Sequence, residues 1–91
     1  MATVFIPSMM QRLTSHKESI EVPGSNVREL VKNLDTLYPG CKDWLVEDME
    51  LKPNISVSID GALTPMGLLA EVKEDSEVHF VAALAGGSFS K

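Results

Sequence analysis

An α+β roll, with one helix laid across one face of a mixed sheet, is the fold that this 91-residue sequence predicts, and three observations carry the prediction. Residues Thr3 to Pro7 open the chain with β-branched and aromatic side chains, and Glu77 to Leu84 close it in the same way. Both runs are apolar on both faces, as strands in the middle of a sheet are. Between them, Val27, Leu30, Val31, Leu34 and Leu37 recur at spacings of three and four, which marks one apolar stripe on one helix. The first and last strands are therefore expected side by side in the centre of the sheet, with the helix as its cover.

The elements follow in order. Val4 and Ile6 fall on one face of the first strand and Phe5 on the other, and Pro7 ends it or lies at its edge. After a link containing Met9, Met10 and Leu13, the run Glu18-Ser19-Ile20-Glu21-Val22 alternates polar and apolar residues and pairs with the first strand as a hairpin. Pro23-Gly24 turns the chain, and Asn26 followed three residues later by Glu29 forms a capping pattern that starts the helix. Tyr38-Pro39-Gly40 stops it. Cys41, Trp44, Leu45 and Met49, three or four apart, predict a short second helix with Asp43, Glu47 and Asp48 towards water. Ile55, Val57 and Ile59 alternate with serines and enter a tight turn at Asp60-Gly61. Pro65 and Gly67 predict irregular chain from Leu63 to Leu69, and residues 72–76 form a turn into the last strand.

Composition narrows the function. Eight basic against thirteen acidic residues give a net charge of -5, which argues against general affinity for nucleic-acid backbones or anionic membranes and favours partners with basic faces. A lone Cys41 excludes an internal disulfide and a cysteine-rich zinc site, and fits a reducing compartment, the cytoplasm by default. No signal peptide or membrane span is read, and no cofactor is expected. No Ser-His-Asp order, phosphate loop or dinucleotide fingerprint is present, so enzymatic activity is not expected. His16 and His79 lie in different elements without further ligands at metal-binding spacing. Cys41 reads as a small buried hydrophobe rather than a sulfur relay. Glu71, Glu74, Asp75 and Glu77 read as a solvated turn that could also steer a basic partner.

The sequence ends on Ala85-Gly86-Gly87 followed by Ser88-Phe89-Ser90-Lys91. Two readings of the diglycine are open. It is either a flexible junction, or a narrow handle that threads another protein's active site because neither residue carries a Cβ. The expected division is a folded domain over residues 1–85 and a tail over residues 86–91. If the first and last strands pair centrally, the tail leaves from a rigid element and is aimed.

Val4-Phe5-Ile6-Pro7 with Leu13-Thr14, the helix from Val27-Arg28-Glu29-Leu30 to Leu37-Tyr38-Pro39-Gly40, residues Asn54 to Gly61, and residues Val72 to Phe80 closing on Ala85-Gly86-Gly87 together form a pattern. In that order and spacing the chain resembles the MoaD/ThiS family of small sulfur-carrier proteins, from Thr3 to Gly87. The resemblance implies the ubiquitin-like β-grasp fold. It also implies that a ubiquitin-activating-type enzyme adenylates the carboxyl of Gly87, and that a sulfur donor then displaces AMP to leave a thiocarboxylate. A downstream synthase would accept that sulfur into a pterin, a thiazole precursor or an amino-acid precursor. The family pattern stops at the second glycine, so Ser88 to Lys91 departs from it. Some members carry such an extension until a JAMM-type zinc metalloprotease removes it, which places an expected cleavage between Gly87 and Ser88, with Phe89 as a recognition handle. Phe5, Leu63, Val81 and Ala83 are the expected partner surface on the open sheet face. A ubiquitin-like modifier joined to lysines through Gly87, and a non-covalent β-grasp interaction module with a permanent tail, are the alternatives.

Overall fold

The computed structural model describes residues 1–82. The predicted extension of the last strand to Leu84, together with the diglycine and everything after it, lies outside the described residues. Within them the chain forms β1 (Ala2–Phe5), a 3-10 segment (Ser8–Thr14), β2 (Ser19–Val22), α1 (Val27–Leu37), α2 (Cys41–Leu45), β3 (Val46–Glu47) and β4 (Glu50–Leu51). It continues through β5 (Ile55–Ile59), β6 (Ala62–Thr64), a second 3-10 segment (Gly67–Leu69) and β7 (Glu77–Ala82). Five strands make one sheet in the order β2-β1-β7-β5-β6, and β3 and β4 make a separate hairpin. β1 and β7 run parallel at the centre, while β2, β5 and β6 are added antiparallel outside them. This is the α+β roll with the central pair that the two apolar runs predict.

Alternation along the strands sends Ala2, Val4, Val22, Val57, Val78 and Phe80 into the core. Val27, Leu30, Val31 and Leu34 of α1 meet them from the other side. Leu37 does not follow: it is 53% exposed, although its spacing continues the stripe. Periodicity carries the direction of a helical side chain but not how far the core extends beneath the last turn. Both Met10 and Met9 belong to the first 3-10 segment, yet Met10 is buried and Met9 exposed, so the pair straddles the surface.

The start of α1 follows the capping logic with a shift of one residue. Asn26 Oδ1 accepts the Glu29 N–H at 2.8 Å, whereas the Glu29 carboxylate accepts from the N–H and hydroxyl of Ser25 at 2.9 and 3.1 Å. Val27 N–H donates to the Ala70 carbonyl and Val72 N–H to that of Ser25, which ties the helix start to the segment before β7. At its other end Asp35 Oδ1 accepts the N–H groups of Gly40 and Lys42, joining α1 to α2.

Two predicted segments differ. The second helix ends at Leu45 and does not reach Met49, because residues 46–51 reverse as the β3–β4 hairpin around Asp48 and Met49, with φ of 55° and 66°. Met49 stands four residues after Leu45, a helical interval that a short hairpin reproduces by coincidence. The stretch from Leu63 is likewise not wholly irregular, since Ala62–Thr64 pairs with β5 through the two-residue turn at Asp60 and Gly61, φ 53° and 88°. Three residues are too few for alternation to register, and the apolar one, Leu63, points away from the core.

Gly24 makes the tightest approach in the turn before α1. Its φ is 152°, and a Cβ there would stand 2.9 Å from Leu30 Cδ2 and 3.1 Å from the Leu30 backbone nitrogen. Leu30 is fully buried and has nowhere to retreat. Gly24→Ala is expected to cost about 1–3 kcal/mol by overpacking, read as a lower urea midpoint at unchanged slope.

Candidate functional site

β7 is the element from which the tail continues, and it is held on both sides. Thr3, Val4 and Phe5 of β1 pair with Glu77, Val78 and His79, and on the opposite edge β5 pairs from Ile59↔Val78 to Ile55↔Ala82. The ladder to β5 therefore flanks the strand up to the last described residue, and the ladder to β1 flanks its first half, to His79.

The same alternation that buries Val78 and Phe80 turns Glu77, His79 and Val81 onto the face away from α1. Register carries one row across four strands on that face, from Phe5 to His79, Ser58 and Leu63. The Phe5 and His79 rings lie 4.1 Å apart between centroids and 3° from coplanar. Val81, one step along β7, is 50% exposed, so Phe5, His79 and Val81 form one apolar and aromatic patch beside the strand end. Leu63 is 70% exposed but stands two strands away, beyond the serines of β5. Of the expected partner surface, then, Phe5 and Val81 come together, Leu63 is on the same face but apart, and Ala83 lies outside the described residues, as do Gly86, Gly87 and Ser88.

The opposite end of β7 is fixed by Asp60, which sequence reasoning treated only as a turn former. Its Oδ1 accepts the Glu77 N–H at 2.9 Å and its Oδ2 accepts the Ser76 hydroxyl at 3.0 Å. The Ser76 oxygen in turn accepts the Lys73 N–H, and Asp60 N–H donates to the Glu77 carbonyl. The β5–β6 turn is thus bolted to the first residue of β7. These bonds, from the Glu77 N–H first and the Ser76 hydroxyl second, hold the Asp60 carboxyl below the usual carboxylate range. Nothing in an Asp-Gly dipeptide distinguishes this role from an ordinary hairpin turn.

Other candidates resolve plainly. Cys41 is fully buried, and burial, with Asp35 adding to it, pushes its thiol pKa up, which disfavours the thiolate. Glu71, Glu74, Asp75 and Glu77 are all exposed. Among the described residues no group of three His, Cys, Asp or Glu side chains is placed to hold a metal ion, and no helix is long and apolar enough to cross a membrane.

Comparison with known proteins supplies the deciding observation. A model of the ThiS family matches residues 5–87. The chain belongs to the ThiS family. The match ends on the second glycine, and Ser88 to Lys91 lie outside the matched residues. Among solved structures, a chain of the BexX/CysO complex of Amycolatopsis orientalis is similar at 30% identity and a TM-score of 0.90, over 96% of this chain and 100% of that one. CysO of Mycobacterium tuberculosis is similar at 18% identity and a TM-score of 0.83, over 91% and 99% of the two chains. Small archaeal modifier protein 1 of Methanosarcina acetivorans is similar at 19% identity and 0.79, over 94% and 95%. No curated protein matches. This ThiS-family chain has the β-grasp fold, with the central parallel pair and the covering helix in their expected places.

Because the Asp60 carboxyl titrates lower in the folded chain than in the unfolded one, its contribution to stability is complete above the unfolded value, about 4, and is lost as the pH falls through the folded one. Asp60→Asn is expected to lower stability at neutral pH and to flatten the loss of stability below about pH 4. Urea midpoints of both proteins across acid pH check this.

Proposed function

We propose that the chain is a sulfur carrier acting through the carboxyl of Gly87. The observation that carries this reading is the family match, which runs the length of the domain and stops at Gly87. Residues 1–85 serve as the domain, and residues 86–91 as the reactive tail with its extension. In the sequence as written that carboxyl is an amide to Ser88, so the first step is hydrolysis of the Gly87–Ser88 bond, for which a JAMM-type metalloprotease is the class of enzyme required.

A free carboxylate is a poor electrophile, since its charge repels nucleophiles and oxide is a poor leaving group. An adenylating enzyme of the ubiquitin-activating type joins it to the α-phosphate of ATP with release of pyrophosphate. A sulfur donor then attacks the acyl carbon, AMP departs, and the product is the thiocarboxylate of Gly87. That sulfur is a nucleophile at neutral pH and passes to a sulfur-accepting synthase in cofactor or amino-acid biosynthesis. The chain is substrate and reagent throughout and supplies no general acid or base. Gly86 and Gly87 keep the tail narrow enough to enter such active sites.

Docking of the adenylating enzyme uses the open face beside β7, with Phe5 and Val81 as its centre and Leu63 at its margin; Ala83, expected in the same surface, lies outside the described residues. Support comes from the half-buried Phe5–His79 stack beside exposed Val81 and from the neighbouring structure, in which CysO is in complex with BexX. The cytoplasm, where ATP and reduced sulfur are available, is the proposed compartment.

The intact mass of the protein recovered from its own cells tests the reading. A species ending at Gly87, and a second one heavier by the exchange of one oxygen for sulfur, is the expected result. Molecules all retaining Ser88 while protease and activating enzyme are present would instead favour the non-covalent module, and isopeptide-linked conjugates would favour the modifier. With purified components, Gly87→Val is expected to abolish both cleavage and adenylation. Val81→Asp is expected to weaken adenylation about tenfold or more at unchanged unfolding midpoint, as loss of a central contact does.

A further inference from the structure

Two shallow clefts, of about 590 and 550 Å³, meet at the β3–β4 hairpin and share Arg28, Met49 and Leu68. None of Phe5, His79 or Val81 lines either one, although Ser56, the register partner of Val81, lines the first, so this surface borders the open sheet face without including its aromatic pair. Its rims are apolar and exposed: Met49 is 76% exposed, Met66 55% and Leu69 70%, around a floor that includes Leu51. Methionines on a surface adapt to apolar side chains of varied shape.

Charge is distributed unevenly towards the same place. Arg28, Lys32, Lys42 and Lys52 line the clefts, with Asp43, Asp48 and Glu50 beside them. Four of the chain's eight basic residues thus lie here against three of its thirteen acidic ones, which leaves four basic and ten acidic residues for everything else. With exposed Glu47 in the same hairpin the clefts are close to neutral, and on an acidic protein they are a surface where basic side chains can meet carboxylates against the least repulsion.

Backbone geometry adds an independent observation. The hairpin turn places Asp48 and Met49 at φ of 55° and 66°, a conformation for which Asn and Gly are the usual residues. A methionine held there, with its side chain in solvent where the two clefts join, spends conformational strain on exposing an apolar group. Strain kept at an exposed position points to use of that position.

We propose that these clefts bind an acidic, apolar peptide segment of a partner protein, with Met49 inserted between its apolar side chains and Arg28 and Lys52 paired with its carboxylates. The proposal does not depend on sulfur transfer, because its test uses the chain alone.

The experiment titrates the full-length, ¹⁵N-labelled chain with a synthetic peptide carrying Leu and Phe among Asp and Glu residues, and with its counterpart carrying Lys in place of the acids. Amide shifts at Arg28, Met49 and Leu68 with the acidic peptide, and at least about tenfold weaker binding of the basic one, are expected. Arg28→Glu is expected to remove that preference. Met49→Gly relieves the turn, so its thermal midpoint should hold or rise while affinity falls about tenfold. Equal binding of the two peptides, shifts confined to the open face, or unchanged affinity of Met49→Gly would each overturn the proposal. So would cleft resonances that move on dilution alone, which would give the surface to a second copy, or that move on removal of residues 83–91, which would give it to the chain's own tail.

Discussion

The parallel pairing of β1 with β7 is the constraint on which the rest of the molecule depends. Hairpins need only a turn to form, but two parallel strands need a long crossover, and here the crossover is almost the whole domain. Every other strand of the five-stranded sheet is attached to this pair: β2 through the β1–β2 hairpin, β5 through its ladder with β7, and β6 through β5. The helix α1 is useful only as a cover for the core that this pair creates, since Val4 and Val78, partners in the register, lie at its middle. A parallel pair of such separation is slow to find, because the loop must close before any contact repays it.

How much of this was legible follows from which signals are local. The central pair could be read because strands buried on both faces carry apolar residues on both, and α1 because four of its five stripe residues are buried as their spacing requires. The β3–β4 hairpin and β6 could not, since strands of two and three residues are too short for a period of two to repeat. The bond from Lys52 N–H to the Leu45 carbonyl, which closes the base of the β3–β4 hairpin, joins residues whose side chains carry no sign of it. At the candidate site the apolar positions Phe5 and Val81 were legible as outward residues of predicted strands. The Phe5–His79 stack required the register, and the Asp60 clamp required knowing what lies across from a turn. The diglycine by itself admits two readings, junction or handle, and only the pattern around it favours the second.

The two surfaces of the domain differ in chemistry as well as in place. The open face offers aromatic and aliphatic groups among serines, with Glu21 and Glu77 at its flank, on a rigid sheet. The clefts by the hairpin offer methionines on short elements with few ladder bonds, beside basic side chains of which Arg28 and Lys32 belong to α1. A rigid face suits a partner that must find the tail in one position. An adaptable one suits a segment that need only be held.

A last consequence concerns force. A tail drawn into another protein's channel pulls on the C-terminal end of β7, and β7 is neither an edge strand nor one half of a terminal hairpin. Tension along it loads the ladders to β1 and β5 together and in shear, so that their bonds must fail in concert instead of opening one at a time as a zipper does. At the far end of the strand, the Asp60 carboxylate grips the Glu77 N–H and the neighbouring Ser76 hydroxyl, which resists the sliding that such a pull would start. Along the axis of β7, then, the domain meets a load with two ladders and a carboxylate clamp at once.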